Sequence, residues 1–202
     1  MKYDFAEIEK KLKKYLDKDR FMHTQGVMYT AAALAMAHGT TMEQARLAGL
    51  LHDCAKCIPN KKKLKICRKQ GIELSTFEKQ NPFLIHAKLG VYIAKEKYDI
   101  HDLGILSAIR WHTTGKEDMS SLEKIIYIAD YIEPGRDRAP NLSWVRKVAF
   151  MDLDEGMYYS LKDSLSYLET SAKLIDPYTE KAFQYYEALH LGKKEKENTD
   201  HE

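Results

Sequence analysis

Apolar residues recur at helical spacing along nearly the whole chain, and little in the sequence would interrupt a helix. The first such stripe consists of Phe5, Ile8, Leu12, Tyr15 and Leu16. Among 202 residues there are only 10 glycines, 5 prolines and four valines. Because glycine and proline disfavour helix interiors and valine favours strands, this composition favours helices over a sheet. We predict a single all-α domain.

Capping and helix-breaking residues predict where the helices begin and end. The predicted helices start at Asp4, run from about Asp19 to His38, from Thr40 or Thr41 to about Asp53, from Phe83 to about Tyr98, from Asp99 to Gly115, from Ser120 or Ser121 to Ile132, from about Asp152 to Leu174 and from Pro177 to Gly192. Residues 1–192 would form the domain, and the charged residues 193–202 a disordered tail.

The basic segment 61–69 is predicted to be a short, solvated amphipathic helix with Leu64 and Ile66 facing inward. Contact with nucleic acid is the alternative, but no aromatic residue is interleaved with the charges. The formal net charge of the chain is only +2, which gives no reason to expect general nucleic-acid binding.

Membrane and secreted classes are disfavoured as well. No apolar run reaches the roughly 18–20 residues that span a bilayer, and the first seven residues do not read as a signal peptide. The three cysteines are an odd number and make no disulfide framework. We therefore expect a cytoplasmic protein that binds neither membranes nor nucleic acid.

Cys54 and Cys57 form a C-x-x-C pattern, which can indicate a redox centre or a zinc site. Neither is expected here, because no second such pair follows and no βαβ context surrounds this one. Helical spacing would simply place both side chains on one side.

The most informative residues are ionisable side chains inside otherwise apolar helical segments. They are His23, His52, Asp53, His86, His112 and Asp130. An ionised carboxylate within Ile125–Ile132 is costly unless it is paired, hydrogen-bonded or bound to a metal. Taken singly, each residue has an ordinary explanation as a hydrogen-bonded core residue or half of an ion pair. Together, four histidines and two aspartates suit zinc, iron, manganese and similar divalent metals.

The order of these residues resembles the H…HD…D pattern of the HD-domain phosphohydrolases, which are all-α helical bundles. His86 and His112 lie between the doublet and the last aspartate, as in HD proteins that bind two metals. The resemblance implies that Asp53 bridges the two metals. It implies that one metal is held by His23, His52, Asp53 and Asp130, and the other by His86, His112 and Asp53.

Longer local matches narrow the resemblance to the bacterial YqeK branch of this family. They are His23–Val27, Leu50–Lys56, His112–Gly115 and Ala129–Arg136, within a match over roughly residues 15–189. That branch is associated with symmetrical hydrolysis of diadenosine tetraphosphate to two ADP at a di-iron site. The resemblance therefore implies two divalent metal ions, with iron preferred, although the ligand types also allow Mn, Zn, Co or Ni. Cys54 departs from the pattern without touching a presumed ligand.

The implied chemistry is hydrolysis assisted by two metals. Two cations about 3.5–4 Å apart, bridged by a carboxylate, would activate a water for in-line attack on a phosphorus. The residues expected to carry catalysis are His52, Asp53 and Lys56.

Six residues are expected to contact the phosphates of the substrate: Arg20, Lys56, His86, Thr113, Thr114 and Arg136. Lys56 would share a face with the His52–Asp53 doublet if the helix continues, but a surface lysine would have the same spacing. The two threonines end a helix, where hydroxyl and N–H groups can hold phosphate; ordinary helix termination is the alternative. Arginine clamps phosphate bidentately, and Arg136 is favoured over Arg20 and over Arg138, which could simply be solvated.

The residues also leave other functions open. The same site could act on another nucleotide, or the pocket could bind a nucleotide without turnover, as a sensor does. A purely structural helical adaptor would require the six polar residues to be unrelated in space. Exposed aromatic residues in the C-terminal helices make a homodimer possible.

Overall fold

The computed structural model describes residues 3–171 and 174–199, and these form helices, turns and loops without a strand. The all-α prediction is confirmed. The helices are α1 (Phe5–Leu12), α2 (Lys18–Ala37), α3 (Met42–Leu51), α4 (Asn60–Lys69), α5 (Thr76–Gln80), a 3-10 turn (Pro82–Leu84), α6 (Ile85–Tyr98), α7 (Leu103–Trp111), α8 (Ser121–Ile132), α9 (Leu142–Ala149), α10 (Leu153–Thr170) and α11 (Pro177–Thr199). None of the described helices combines the length and apolarity needed to cross a bilayer.

Polar side chains cap several helices where the sequence predicted it. Asp4 Oδ1 accepts a hydrogen bond from the Glu7 amide at 3.0 Å. Ser120 and Glu123 form a reciprocal capping box at the start of α8. Each such cap satisfies backbone N–H groups that have no partner inside the helix, and contributes roughly 1 kcal/mol.

Asp99 ends a helix rather than starting one, which corrects the prediction. Its backbone is left-handed, with φ 55° and ψ 40°, at the C-terminus of α6. The next helix is capped by Asp102, whose Oδ1 accepts from the Ile105 amide at 3.0 Å. An aspartate tolerates the left-handed region better than most residues, so an Asp after an apolar helix can serve either end.

Two further boundaries and two whole helices differ from the predictions. The long helix α10 ends at Thr170 rather than Leu174, and residues 172 and 173 lie outside the described part of the chain. Helix α11 passes Gly192 without a break and ends at Thr199, whereas the predicted division into a domain 1–192 and a disordered tail stays a prediction. Residues 200–202 of the predicted tail lie outside the described residues. The short helices α5 and α9 were not predicted, since each has fewer than three turns.

In the basic helix α4, the predicted inward residues are only half-buried. Lys63 and Cys67, four residues apart, are the buried pair, whereas Leu64 and Ile66 lie at the flanks. The helix begins at Asn60, and this register turns the Lys63–Cys67 edge towards α6 and the 3-10 turn.

Helices α2, α3, α7 and α8 form the centre of the bundle, with α2 against α3 and α8, and α3 against α7 and α8. Gly49 allows α2 and α3 to approach closely, because a methyl group there would lie 3.0 Å from the Cα of Met28. Fully buried aliphatic side chains such as Leu34, Leu47 and Ile105 fill the space between them. Each contributes about 1.5–3 kcal/mol relative to an exposed position. This rigid centre supplies most of the polar residues singled out above.

Candidate metal centre

The six predicted ligands converge on one cluster. They come from α2 (His23), the residues directly after α3 (His52 and Asp53), α6 (His86), the residue after α7 (His112) and α8 (Asp130). We call His52, Asp53, His86 and His112 the inner half of the cluster, and His23 and Asp130 the outer half. The side chains of the inner half are at most 1% exposed, whereas those of His23 and Asp130 are 11% and 22% exposed.

Asp53 lies among the three imidazoles of the inner half. Its Oδ1 lies 3.2 Å from Nε2 of His86 and 3.5 Å from Nε2 of His112. Its Oδ2 lies 3.4 Å from Nε2 of His52 and 2.8 Å from Nη1 of Arg20. Burial by itself would raise the pKa of this carboxyl, but the surrounding imidazoles of His52, His112 and His86 hold the pKa well below its usual value. Asp53 is therefore ionised at neutral pH.

The three inner histidines are oriented by their own main chain. Each Nδ1 lies against the carbonyl oxygen three residues earlier, at 2.7 Å for His52, 2.6 Å for His86 and 2.8 Å for His112. A carbonyl can only accept, so each Nδ1 carries the proton and each Nε2 presents a lone pair to the cluster. Metal-ligating histidines are held in this way.

The surroundings of His86 also favour its neutral form. Burial lowers the pKa of His86 to about 4, although the hydrogen bond with Asp53 opposes the shift. A neutral imidazole is the form that binds a metal, so His86 is ready to do so well below neutral pH.

In the outer half, His23 is oriented by a side chain. Its Nδ1 lies 3.0 Å from Oε1 of the buried Glu133, and its Nε2 lies 3.1 Å from Oδ1 of Asp130. The carboxylate of Glu133 accepts the Nδ1 proton, and Nε2 again faces the cluster. Burial would raise the pKa of Asp130, but the neighbouring His23 and His52 rings and the Arg136 guanidinium hold the pKa well below its usual value.

The residues fit a divalent metal. Three buried atoms of the ligand set, Nε2 of His23, Nε2 of His52 and Oδ1 of Asp53, have no hydrogen-bond partner of acceptable geometry. Buried polar atoms in folded proteins are rarely left so, and each costs roughly 1–3 kcal/mol. Ligand atoms of His23, His52 and Asp130 lie within 4.8 Å of one another, as do those of His52, Asp53 and His112. A cation bound in each group would give these buried atoms a partner.

Lys56 lies at the cluster, but not because the helix continues. α3 ends at Leu51, and a tighter turn follows in which the Lys56 amide donates to the Asp53 carbonyl at 2.9 Å. The Lys56 Nζ lies 3.1 Å from Nε2 of His86 and 3.7 Å from Oδ1 of Asp53. Lys56 therefore lies beside the His52–Asp53 doublet without the helical continuation on which that expectation depended.

The two predicted arginines contact the two carboxylates. Arg20 donates to Oδ2 of Asp53 at 2.8 Å, although the sequence favoured Arg136 over Arg20 as a phosphate contact. Arg136 donates from Nη2 to Oδ1 of Asp130 at 2.5 Å and from Nε to the Asp130 carbonyl at 2.9 Å. The side chain of Arg138 is 98% exposed and lies 3.8 Å from Asp137, which agrees with its solvated alternative.

The two threonines after α7 differ. The hydroxyl of Thr113 lies 3.1 Å from Nε2 of His86 and 3.0 Å from Nε2 of His112, at the mouth of the inner half. Thr114 is buried, and its hydroxyl donates to the Gly115 carbonyl at 3.0 Å. Gly115 has φ +66°, so the chain turns sharply here.

Sequence analysis missed the roles of Glu133 and Gly26. A methyl group on Gly26 would lie 2.5 Å from Oε2 of Glu133, so the glycine makes room for this carboxylate beside α2. The signal available in the sequence was weak. Gly26 is three residues after His23 and Glu133 is three residues after Asp130, one helical turn from a ligand in each case.

The two cysteines of the C-x-x-C pattern do not lie on one side, as helical spacing had suggested. Cys54 is buried, with Sγ 3.6 Å from the Gly90 carbonyl, whereas Cys57 is exposed, with Sγ 3.2 Å from Oδ2 of Asp17. Both are free thiols. The tight turn after α3 separates them.

Fold and site together define an all-α protein with a buried cluster of histidines and aspartates suited to divalent metals. The model of the HD domain family matches residues 20–135, which contain all six ligands of the cluster. The chain therefore belongs to the HD domain family.

Relatives extend the match over most of the chain. It is 37% identical over 168 residues, 83% of this chain and 89% of the relative, to a protein of Bacillus subtilis named symmetrical bis(5'-nucleosyl)-tetraphosphatase. A protein of Halalkalibacterium halodurans with the same name is 38% identical over the same shares. The crystal structure of a predicted HD superfamily hydrolase involved in NAD metabolism, from Clostridium acetobutylicum, superposes with a TM-score of 0.88 at 38% identity, over 92% of this chain and 98% of that one.

Proposed function

We propose that the protein is a metal-dependent hydrolase that cleaves diadenosine tetraphosphate and related dinucleoside polyphosphates symmetrically into two nucleoside diphosphates. The observation that carries the proposal is the convergence of four histidines, each with Nε2 facing inward, on two ionised aspartates. Relatives that cover most of the chain are named for this activity, and the family is one of metal-dependent hydrolases.

The ligands would divide into two sets that share Asp53, and the set that contains the outer half also takes His52 from the inner half. One divalent ion would be held by His23, His52, Asp53 and Asp130, and the second by His86, His112 and Asp53. When bound, such a pair supplies a nucleophile derived from water and offsets charge on the phosphate oxygens. The ions are proposed to be iron, and the mixed imidazole and carboxylate set also suits Mn, Zn, Co or Ni.

Three cationic side chains at the rim, Arg20, Lys56 and Arg136, are placed to receive an anion. Each now contacts a carboxylate of the cluster or an imidazole beside it. Once those groups bind metal, the cations could turn to the phosphate oxygens of a substrate, where an arginine can bond bidentately. The hydroxyl of Thr113 could likewise donate a hydrogen bond to a phosphate oxygen. Contacts from His86 and Thr114 stay predictions, since Nε2 of His86 is proposed as a ligand and the Thr114 hydroxyl is bonded to the main chain.

The experiment that tests the proposal is product analysis. Protein loaded anaerobically with Fe²⁺ or Mn²⁺ is incubated with diadenosine tetraphosphate, and the products are separated by ion-exchange chromatography. We expect two ADP per substrate, and ATP with AMP would overturn symmetrical cleavage. His52→Ala should lose metal and activity together, whereas Arg138→Ala, which removes an exposed charge from the same loop as Arg136, should behave as wild type.

A second substrate class is favoured by one observation. The structurally similar hydrolase from Clostridium acetobutylicum is described as involved in NAD metabolism, so NAD and nicotinate nucleotides belong in the same assay at equal concentrations. If NAD or a nicotinate nucleotide has a higher kcat/KM than diadenosine tetraphosphate, that compound would replace the dinucleoside polyphosphate as the proposed substrate. Tight nucleotide binding without turnover by the metal-loaded protein would instead favour a sensor.

Location and partners complete the proposal. The three cysteines are all free thiols, as is usual in the cytoplasm, where we place the protein. The nucleotide is the proposed partner, with no nucleic acid or membrane. A homodimer through the C-terminal helices stays a prediction; Tyr167 and Leu191 are more than half exposed there. Analytical ultracentrifugation would test it.

A further inference from the structure

The guanidinium group of Arg146, on α9, donates three hydrogen bonds to main-chain carbonyls of a single turn. Its Nε bonds to Ile132 O at 3.0 Å, and its Nη2 bonds to Glu133 O at 3.1 Å and to Arg136 O at 2.8 Å. Arginine suits this task because its five N–H groups are fixed in one plane. The side chain is half-buried, and no carboxylate lies within ion-pair distance of it among the described residues.

The turn that Arg146 grips, residues 132–136, carries the groups that orient the outer half of the metal centre. Glu133 accepts from Nδ1 of His23 at 3.0 Å and from the Gly135 amide at 2.6 Å. Arg136 bonds to Oδ1 of Asp130. Both outer ligands therefore contact one turn, and Arg146, from a helix that carries no ligand, bonds to three carbonyls of that turn.

The inner half has no comparable dependence. Its histidines are held by carbonyls of their own helices or turns, three residues away. A change at α9 would therefore reach the outer half and leave the inner half in place.

We propose that Arg146 is a positioning residue that fixes His23 through Glu133 and so sets the affinity of the ion that His23 and Asp130 would bind, without changing the affinity of the other ion. The inference rests on the proposed two-metal centre, but not on the identity of the substrate. Outer-shell partners of metal ligands typically change metal affinity or activity by 10–100-fold.

The test uses the full chain, stripped of metal and titrated with Co²⁺, whose visible absorption reports ligand geometry. Arg146→Ala is compared with Lys147→Ala, which removes the exposed neighbouring charge on the same helix. For Arg146→Ala we expect the first equivalent of Co²⁺ to bind as in wild type and the second to bind at least tenfold more weakly. Lys147→Ala should match wild type in both, and Arg146→Lys should recover part of the loss.

A second readout needs no metal. The ¹⁵N shifts of the His23 ring in the metal-free protein should show Nδ1–H in wild type and a mixture of tautomers in Arg146→Ala, with His52 unchanged. If Arg146→Ala does not fold, Arg146→Gln takes its place under the same criteria.

Three results decide the inference. Unchanged Co²⁺ affinities and an unchanged His23 tautomer would overturn it. Equal weakening of both equivalents would also overturn it, because Arg146 would then act on the whole fold. Wild-type protein that binds fewer than two equivalents would contradict the proposed two-metal function instead, and the tautomer of His23 would still test the positioning role.

Discussion

The inner and outer halves of the metal centre are built in different ways. The inner histidines are almost fully buried, and each takes its orientation from a carbonyl three residues earlier in its own chain segment. His23 is partly exposed and takes its orientation from Glu133, which lies 110 residues away in sequence. Local backbone geometry thus holds one half, and a tertiary contact holds the other.

This difference separates two tasks. A ligand held by its own helix is correct as soon as that helix has formed and packed. A ligand held by a distant carboxylate is correct only when the two segments are packed together, and the turn that carries this carboxylate is near the surface, with Arg136 43% exposed. We expect the inner half to bind metal more tightly and the outer half to be more sensitive to mutation.

The largest expected effect is at Asp53, which is proposed as a ligand of both metals. Asp53→Asn removes the negative charge and the shared carboxylate, so both metals should be lost and kcat should fall on the order of 10³-fold or more. Elemental analysis and single-turnover kinetics check this. If Asp53→Asn kept either metal at wild-type affinity, a bridge between the halves would be contradicted.

The inner half should make the metal-free protein sensitive to acid. The pKa of the His86 imidazole has its ordinary value of 6.5 in the unfolded chain, and burial in the folded protein lowers the pKa to about 4. As pH falls from 6.5 towards 4 the unfolded state binds the extra proton, so the free energy of unfolding should fall, by about 3 kcal/mol at most. Urea unfolding at pH 7, 5.5 and 4.5 measures this change in the free energy of unfolding. The pH dependence should be weaker in His86→Gln. If that variant loses stability as steeply as wild type, groups other than His86 cause the loss.

In the outer half, Glu133→Gln keeps the size of the side chain but weakens its hold on the Nδ1 proton of His23. We expect a 10–100-fold loss of affinity for one metal only, with the other unaffected. Titration of the metal-free protein separates the two equivalents. Equal effects on both would remove the distinction between the halves.

Arg136 should act on substrate more than on metal. Arg136→Gln removes a charge-assisted hydrogen bond worth roughly 1.5–3 kcal/mol, so KM should rise by about tenfold or more while both metals are retained. Steady-state kinetics with parallel elemental analysis check this. Arg138→Gln is the control from the same loop, and unchanged kinetics in Arg136→Gln would make Arg136 a surface residue.

The smallest effect is expected from a pair of glycines on and after α2. Gly26→Ala places a methyl against the Glu133 carboxylate and should weaken the outer metal several-fold. Gly39→Ala meets no atom within 4 Å, but its φ of +64° is strained for alanine, so it should cost about 1 kcal/mol of stability without changing metal affinity. Thermal melts and metal titrations of both variants distinguish a steric clash with Glu133 from backbone strain at a positive φ. The opposite pattern would contradict the role of Gly26.

Much of the molecule could be predicted from local pattern. The helical class and the caps at Asp4 and Ser120 followed from composition and spacing, and all six cluster residues were visible as polar side chains in apolar helical segments. The errors fall where one residue type serves two ends of a helix, as at Asp99, or where a segment has too few turns to show a period, as in α9. Lys56 lies beside the His52–Asp53 doublet although its supposed helix stops at Leu51.

The sequence alone determined which residues could serve as ligands, because an imidazole or a carboxylate inside an apolar stripe needs a partner wherever it is buried. Only the tertiary structure decided which atom faces which neighbour. The orientation of His23 depends on Glu133, on the room left by Gly26 and on the grip of Arg146, and no periodic pattern records contacts between segments so far apart. The helical period of a sequence predicts which residues share one face of a helix, whereas the geometry of a ligand cluster depends on how several helices are positioned relative to one another.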